Sequence, residues 1–273
     1  MSVNGIEIAY KAAVNCGAVF EGVATTDTIN DMVDTHLTQP DDYWNGSYII
    51  RGYDDTGIFQ MGRIISDYTL STHKIVYDTT LGYAIAPDKD YRIIKKVYPY
   101  AILLQSLNQA LADMGDIPLC DTTHVTTTSY SYNLTTGISA ENIRAVYIKH
   151  QTEDRYVPVY NWRVENTSTN TKQLILPKLY PSGLLIKIYY LGKHPVITDL
   201  AFSLDDTFSI ENIQTIIYRA TANLLRWKMN TSNSADPVLL SLLQTYENKV
   251  VENTMKYPVF SNIRRTPRFI KVA

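Results

Sequence analysis

The chain has 273 residues, enough for one large or two modest cores, and its 45% hydrophobic and 19% charged residues are the balance of a globular polypeptide rather than a disordered one. A formal net charge of −2 gives no overall field that would recruit nucleic acid. Two cysteines outside any metal-ligand spacing, no charged-then-apolar leader and no apolar run near the roughly 18 residues that cross a bilayer lead to the expectation of a protein folded in a reducing cytosol, with no membrane partner.

Residues 1–25 mix Ala, Gly and Val without clear periodicity, although residues 6–15 admit a helix. Over residues 27–36 the spacing of Ile29, Met32, Val33 and His36 predicts a short helix begun by Thr26 or Asp27. Residues 43–95 then change character. Tyr48-Ile49-Ile50-Arg51, residues 62–68, His73-Lys74-Ile75-Val76-Tyr77 and Tyr91-Arg92-Ile93-Ile94 are β-branched and aromatic runs. They are separated by turn chemistry at Asp54-Asp55-Thr56-Gly57, residues 69–72 and Pro87-Asp88-Lys89-Asp90. Strands so short and so regularly spaced predict a small antiparallel sheet or barrel.

Pro99 stands at the expected first position of a helix, and Ile102, Leu103, Leu107, Ala110, Leu111 and Met114 keep helical spacing until Gly115. Residues 122–132 read as a strand, followed by residues 143–149, Trp162-Arg163-Val164, Gln173-Leu174-Ile175-Leu176 and residues 184–190. The runs Tyr160-Asn161-Trp162-Arg163-Val164 and Leu184-Leu185-Ile186-Lys187-Ile188 are expected to form a strand pair. Ser209 can cap a helix over residues 210–229, whose apolar stripe is Ile210, Ile213, Ile217, Ala220, Leu224 and Trp227. Asp236-Pro237 starts another with Leu239, Leu242, Leu243, Tyr246 and Val250 inward. Their short connection makes an antiparallel αα-hairpin. Beyond Tyr257, Pro258 and Pro267 forbid a continuous helix and leave an extended arm.

The expected fold is therefore α+β: a small antiparallel β-module, a central helix, a β-sheet or sandwich, a C-terminal αα-hairpin and an extended arm. By composition the divisions fall at 1–42 (helical or irregular), 43–96 (β-module), 97–257 (α+β core) and 258–273 (basic arm).

Chemistry is sparse. No Gly-rich phosphate loop, serine nucleophile elbow or helical His pair stands out, so no catalytic residue, metal ligand or cofactor is assigned. Asp41-Asp42, Asp54-Asp55 and Asp205-Asp206 sit beside turn residues, where Asp bonds its own backbone. His194, between Gly192 and Pro195, reads as a loop-packing histidine. The charge is uneven. Residues 1–60 hold nine acids and two bases, while residues 253–273 hold five bases and no acid. In that basic stretch Arg264, Arg265 and Arg268 lie among Tyr257, Phe260, Ile263 and Phe269. Such a mixture can neutralise phosphates or pack on a neighbouring subunit. The mildly acidic remainder favours the protein contact. The chain's 21 tyrosines suit half-buried sheet faces and surfaces that meet other proteins.

Residues 97–260 carry a further pattern. It comprises the helix after Pro99, the Asp113-Met114-Gly115-Asp116-Ile117 exit, the Trp162 strand, the Pro181-Ser182-Gly183 turn, the Tyr190 to His194-Pro195 corner and the helix running to Trp227. This order resembles the head-to-tail connector (adaptor or neck) proteins of tailed bacteriophages, and residues 43–95 resemble the small β-module of some members. The resemblance implies a non-enzymatic virion protein, made in the host cytoplasm. It implies a homo-oligomeric ring, twelvefold like the portal, that binds portal protein and tail or neck proteins. It also implies a channel in transient contact with viral DNA, for which an acidic lining is expected. Two other readings stay open: another virion part (tail, baseplate or head decoration), and a glycan-binding module built on the Tyr- and Thr-rich strands.

Overall fold

The computed structural model describes residues 4–52, 59–81, 89–135, 137–167, 171–202, 210–232 and 236–258. The chain is α+β and forms two compact units. The first comprises the chain up to Asp113 together with Pro195–Pro258, and the second is Met114–His194. Among the described residues no helix is long and apolar enough to cross a membrane.

The first unit is framed by four helices, α1 (Gly5–Asn15), α2 (Tyr100–Ala112), α3 (Ile210–Ser232) and α4 (Pro237–Lys256). Asn4 caps α1 by accepting from the Glu7 N–H (2.9 Å), and Asp236 caps α4 by accepting from Val238 N–H (2.9 Å). Pro99 is the residue just before α2 rather than its first. The difference is one position, and its missing N–H costs nothing at either. Ser209 lies outside the described residues. Helix α3 is the hub. Its buried Ile216, Ile217, Ala220, Thr221, Ala222, Leu224 and Leu225 cover far more than one stripe, because three helices pack on it. Asn15 of α1 donates to Thr221 (3.1 Å), and Asn223 donates to the Ser106 carbonyl of α2 (3.2 Å). Arg226–Glu247 and Thr215–Asn253 link α3 to α4 at both ends, which makes the hairpin antiparallel. Gly5 lets α1 approach the backbone of Leu200, whose carbonyl would lie 2.7 Å from a Cβ there.

Between α1 and α2 the chain makes a seven-stranded antiparallel sheet from β1 (Val19–Val23), β2 (Thr26–Asp27), β3 (Asp31–Val33), β4 (Tyr48–Gly52), β5 (Phe59–Thr69), β6 (Lys74–Tyr77) and β7 (Asp90–Ile94), in the order β1-β7-β4-β5-β6-β3-β2. Its two edges, β1 and β2, are successive parts of one run. Ala24 N–H bonds the Lys89 carbonyl and Thr25 N–H the Val33 carbonyl, so the sheet closes on itself as a barrel. Segments 1–42 and 43–96 thus contribute to one sheet.

The helix expected over residues 27–36 is not formed. Thr28 Oγ1 accepts from the N–H groups of Asn30 and Asp31 (both 3.1 Å) and turns the chain into the β2–β3 hairpin. Met32 enters the barrel while Ile29 and His36 point to solvent, so the helical spacing never corresponded to one buried face.

The apolar core of the barrel also holds a buried polar network. Arg51 on β4, 1% exposed, pairs with Asp27 of β2. Tyr77 donates to the same carboxylate (3.3 Å), and the guanidinium contacts the Met32 sulfur (3.6 Å) and the Tyr91 ring (5.7 Å to its centroid). Tyr91 in turn donates to buried Asp34 (2.6 Å). Burial pushes the Asp27 carboxyl up, and Arg51 opposes that shift without cancelling it.

The second unit, inserted between α2 and α3, is a β-sandwich. Its strands are β8 (Ile117–Val125), β9 (Ser131–Asn133), β10 (Ile143–Lys149), β11 (Tyr156–Val159), β12 (Arg163–Asn166), β13 (Lys172–Ile175) and β14 (Leu185–Gly192). One sheet runs β11-β10-β14-β8 and the other β12-β13-β9. Val146, Ile148, Ile186 and Ile188 of the first meet Tyr132, Trp162 and Leu174 of the second.

Two expectations are corrected in this unit. Residues 122–132 are not one strand. Buried Thr126 ends β8 by donating to the Pro181 carbonyl (2.5 Å) and accepting from Leu184 N–H (2.8 Å). Nor do the Trp162 and Leu184 runs pair with each other, since β12 pairs with β13 and β14 with β10 and β8. Asn161, with φ +59, turns the chain between β11 and β12 and moves it to the opposite sheet.

Buried Asp121 accepts from Thr123 N–H (2.8 Å), Thr123 Oγ1 (2.7 Å) and Thr135 Oγ1 (2.7 Å). Burial pushes its carboxyl up, but these bonds together outweigh it and hold it below the usual range.

Two predictions follow from these polar groups. Arg51→Met leaves the Asp27 carboxylate buried without its cation and should destabilise the barrel by about 3–5 kcal/mol in urea denaturation, whereas Arg51→Met with Asp27→Leu should recover most of the loss. A single-variant loss below about 1 kcal/mol would show the pair to be dispensable. Because Asp121 titrates lower in the folded state, its contribution is complete above the unfolded value of about 3.9 and disappears as pH falls through the folded one. Thr135→Val should therefore flatten the acid end of the stability–pH curve. An unchanged curve would remove Asp121 from the account.

Candidate interaction surfaces

Helix α4 turns Leu243 and Tyr246 inward and leaves a line of uncharged side chains outward. Leu240, Gln244, Asn248, Val251 and Met255 follow one another at steps of four, four, three and four, spanning about 22 Å of helix. Met255 is 79% exposed and Val251 53%. The line leads to Tyr257, which closes the helix with its N–H on the Asn253 carbonyl and its ring 5.2 Å from Lys256 Nζ. Of the expected contact residues Tyr257 is the one described, and it is partly exposed. Phe260, Ile263, Arg264, Arg265, Arg268 and Phe269 lie outside the described residues.

Beside that line a groove of about 320 Å³ opens between the end of α2, α3 and α4. Asp113, Arg219, Asn223, Arg226 and Glu247 line it over an apolar floor of Ala222, Val250 and Val251. Arg226 is occupied, bonding Glu247 (2.7 Å) and Asn223 (3.0 Å). That pair is half exposed and contributes at most about 1 kcal/mol. Arg219 differs. Its Nε is shielded from solvent and has no hydrogen-bond partner among the described residues. Burial lowers the guanidinium's pKa, and the Asp113 charge opposes that shift from the groove wall. Arg219, Asn223 and Arg226 stand at i, i+4 and i+7 on α3, a spacing that flanks the apolar stripe. Only the fold brings Asp113 and Glu247 to it.

In the second unit the outer face of the four-stranded sheet carries Tyr147, Lys149, Tyr156, Lys187 and Tyr189. The Tyr147 and Tyr189 rings meet edge to face at 5.5 Å, and Lys187 Nζ lies 4.0 Å over the Tyr156 ring. Lys149 pairs with Asp154 (3.1 Å). Tyr147 and Lys149 alternate with the buried Val146 and Ile148, since strand side chains alternate between sheet faces.

The remaining candidates are dispersed. Asp41 accepts from Leu70 N–H (2.6 Å) and Asp42 from Asn45 (2.7 Å), as turn residues do. The pairs Asp54-Asp55 and Asp205-Asp206 lie outside the described residues. His36 bonds Asp34, His73 the Leu37 carbonyl and His150 the turn that follows it, while His194 is buried. Among the described residues no group of three or more His, Cys, Asp or Glu is placed to hold a metal ion. Both cysteines are free thiols.

No protein-family model matches the sequence, and no curated protein matches it.

Proposed function

We propose that this chain is a virion structural protein of a tailed bacteriophage, a head-to-tail adaptor or neck subunit. Copies close into a ring, twelvefold like the portal, that joins portal protein to tail or neck proteins and extends the channel through which viral DNA passes. Its work is done by surfaces, without a catalytic centre or cofactor, and its location is the virion. The element order over residues 97–260 supports this reading through its resemblance to connector proteins. The observation that carries the assembly role is the uncharged line Leu240, Gln244, Asn248, Val251 and Met255 on α4. Solvent-exposed helix faces ordinarily carry charge, and an uncharged one rimmed by polar groups marks a surface that meets another protein. A rigid two-helix element can pack side by side in a closed circle through heterologous contacts.

The Tyr147, Tyr156 and Tyr189 face favours a second reading, glycan binding by stacked aromatics.

Negative-stain images of the purified chain, alone and with portal protein, should show rings. Val251→Lys with Met255→Lys should abolish them while thermal unfolding moves by less than about 0.5 kcal/mol, as for surface changes. A persistent monomer that ignores portal would end the neck reading. Rings formed undisturbed by the double variant would remove α4 from the contact. Glycan-array binding lost on Tyr156→Ala and Tyr189→Ala would promote the second reading, and a blank array would retire it.

A further inference from the structure

The β2–β3 hairpin has two faces, and its hydrophobic pattern does not say which belongs inside. Asp27 and Met32 stand opposite each other on one face, Thr26 and Val33 on the other. By polarity alone the uncharged Thr26–Val33 face is the better lining, since its rival carries an acid. The observed orientation is the reverse. Met32 and the Asp27 side chain are fully buried, while Thr26 is exposed and Val33 half-buried.

The backbone does little to decide the matter. Strands β2 and β3 share two residue pairs, and β3 meets β6 in three, Asp31 with Val76, Met32 with Ile75 and Val33 with Lys74. A slip of one residue along β6 would set Val33 against Ile75 and turn every side chain of the hairpin to the opposite face. The turn would travel with it, because the bonds of the Thr28 hydroxyl run to residues 30 and 31 within the hairpin. Outside, Lys74 pairs with Asp31 (2.5 Å), but both are partly exposed and water screens them. Inside, Tyr91 donates to Asp34, two residues beyond Met32, a bond from a neutral hydroxyl. Arg51 differs in kind. It stands on β4, across the lumen from β2 in the strand order, and its side chain is 1% exposed. In the slipped hairpin this cation would face Thr26 in place of a carboxylate, and an unpaired interior charge is the costliest of these losses. Tyr77 on β6 would lose its acceptor on Asp27 as well.

We infer that the Arg51–Asp27 pair is an orientation key: it selects which face of the β2–β3 hairpin lines the barrel, and so holds the closed sheet to one register. The pair serves uniqueness more than stability, as a single buried polar residue does when it fixes the register of a coiled coil. This role is independent of assembly.

The test compares two ways of removing both charges from the full chain, read by NMR of the Met32 methyl in protein labelled at its methionine methyls. Arg51→Met with Asp27→Thr leaves the two faces alike and should fold to two slowly exchanging forms. Met32 should then give a second signal of about a tenth or more of the total. A soluble nitroxide should broaden that signal, because its methyl lies in solvent. Arg51→Met with Asp27→Leu supplies the missing apolar pattern and should keep one buried signal, as in the wild type. Met32→Leu assigns the resonance, and circular dichroism establishes that each variant is folded. A single buried signal in the folded Asp27→Thr variant would overturn the inference, as would two signals in the Asp27→Leu variant. If the Asp27→Thr variant does not fold, Asp27→Asn decides, since it removes the charge and keeps the shape. There a second Met32 signal supports the key, and a single buried one overturns it.

Discussion

One extended run, residues 19–27, serves as both edges of the seven-stranded sheet, and much of the first unit depends on that doubling. A sheet with two free edges exposes unpaired backbone groups to any passing strand. Closing it removes the edges and fixes the interior. Closure also brings the two ends of the barrel segment together, since Lys95 N–H bonds the Ala18 carbonyl (2.9 Å) just after α1 and just before α2. The barrel therefore delivers α1 and α2 to neighbouring positions, where α3 can cover both. Gly62 and Gly22 belong to the same constraint. The Tyr48 ring lies against the first and the Tyr91 ring against the second, so any side chain at either place would displace a ring from the wall.

The helices are a frame with two β excursions, one between α1 and α2 and the other between α2 and α3. Each excursion has its own apolar core, and each contains a buried acid handled differently. Asp27 is neutralised by a buried cation, while Asp121 is held by hydroxyl and amide donors. The first arrangement is costly to break and adds little over an apolar replacement. The second keeps the carboxylate ionised through hydrogen bonding.

What the amino-acid sequence revealed was set by local signals. The helices α2 and α4 were legible because caps, prolines and a sustained 3.6-residue period agree, as at Asp236-Pro237. The strands of residues 48–94 were legible because β-branched and aromatic runs alternate with turn residues. Residues 27–36 misled because four apolar or aromatic side chains fell at helical intervals by chance, while the turn rests on a threonine hydroxyl rather than Gly or Pro. The break at Thr126 was hidden for the same reason. Pairing partners were not legible at all, since β12 and β14 differ in sheet through one left-handed residue, Asn161. The Arg219 groove draws on residues 113, 219–226 and 247–251, and no local pattern announces such a meeting. The outward line on α4 was masked by the inward stripe, whose apolar period is the stronger signal in the sequence.

Insertion of both β segments within the helical frame has a consequence for synthesis. Helix α1, whose Ile6, Ile8, Ala12 and Ala13 are buried, packs chiefly on α3, a helix that leaves the ribosome some 200 residues later. At 5–20 residues per second this is a wait of roughly ten to forty seconds. During that interval the barrel and the sandwich can each mature as local, self-contained pieces, while the nascent frame carries a sticky, half-finished surface. Partner choice before release of the chain is then limited by how soon α3 arrives.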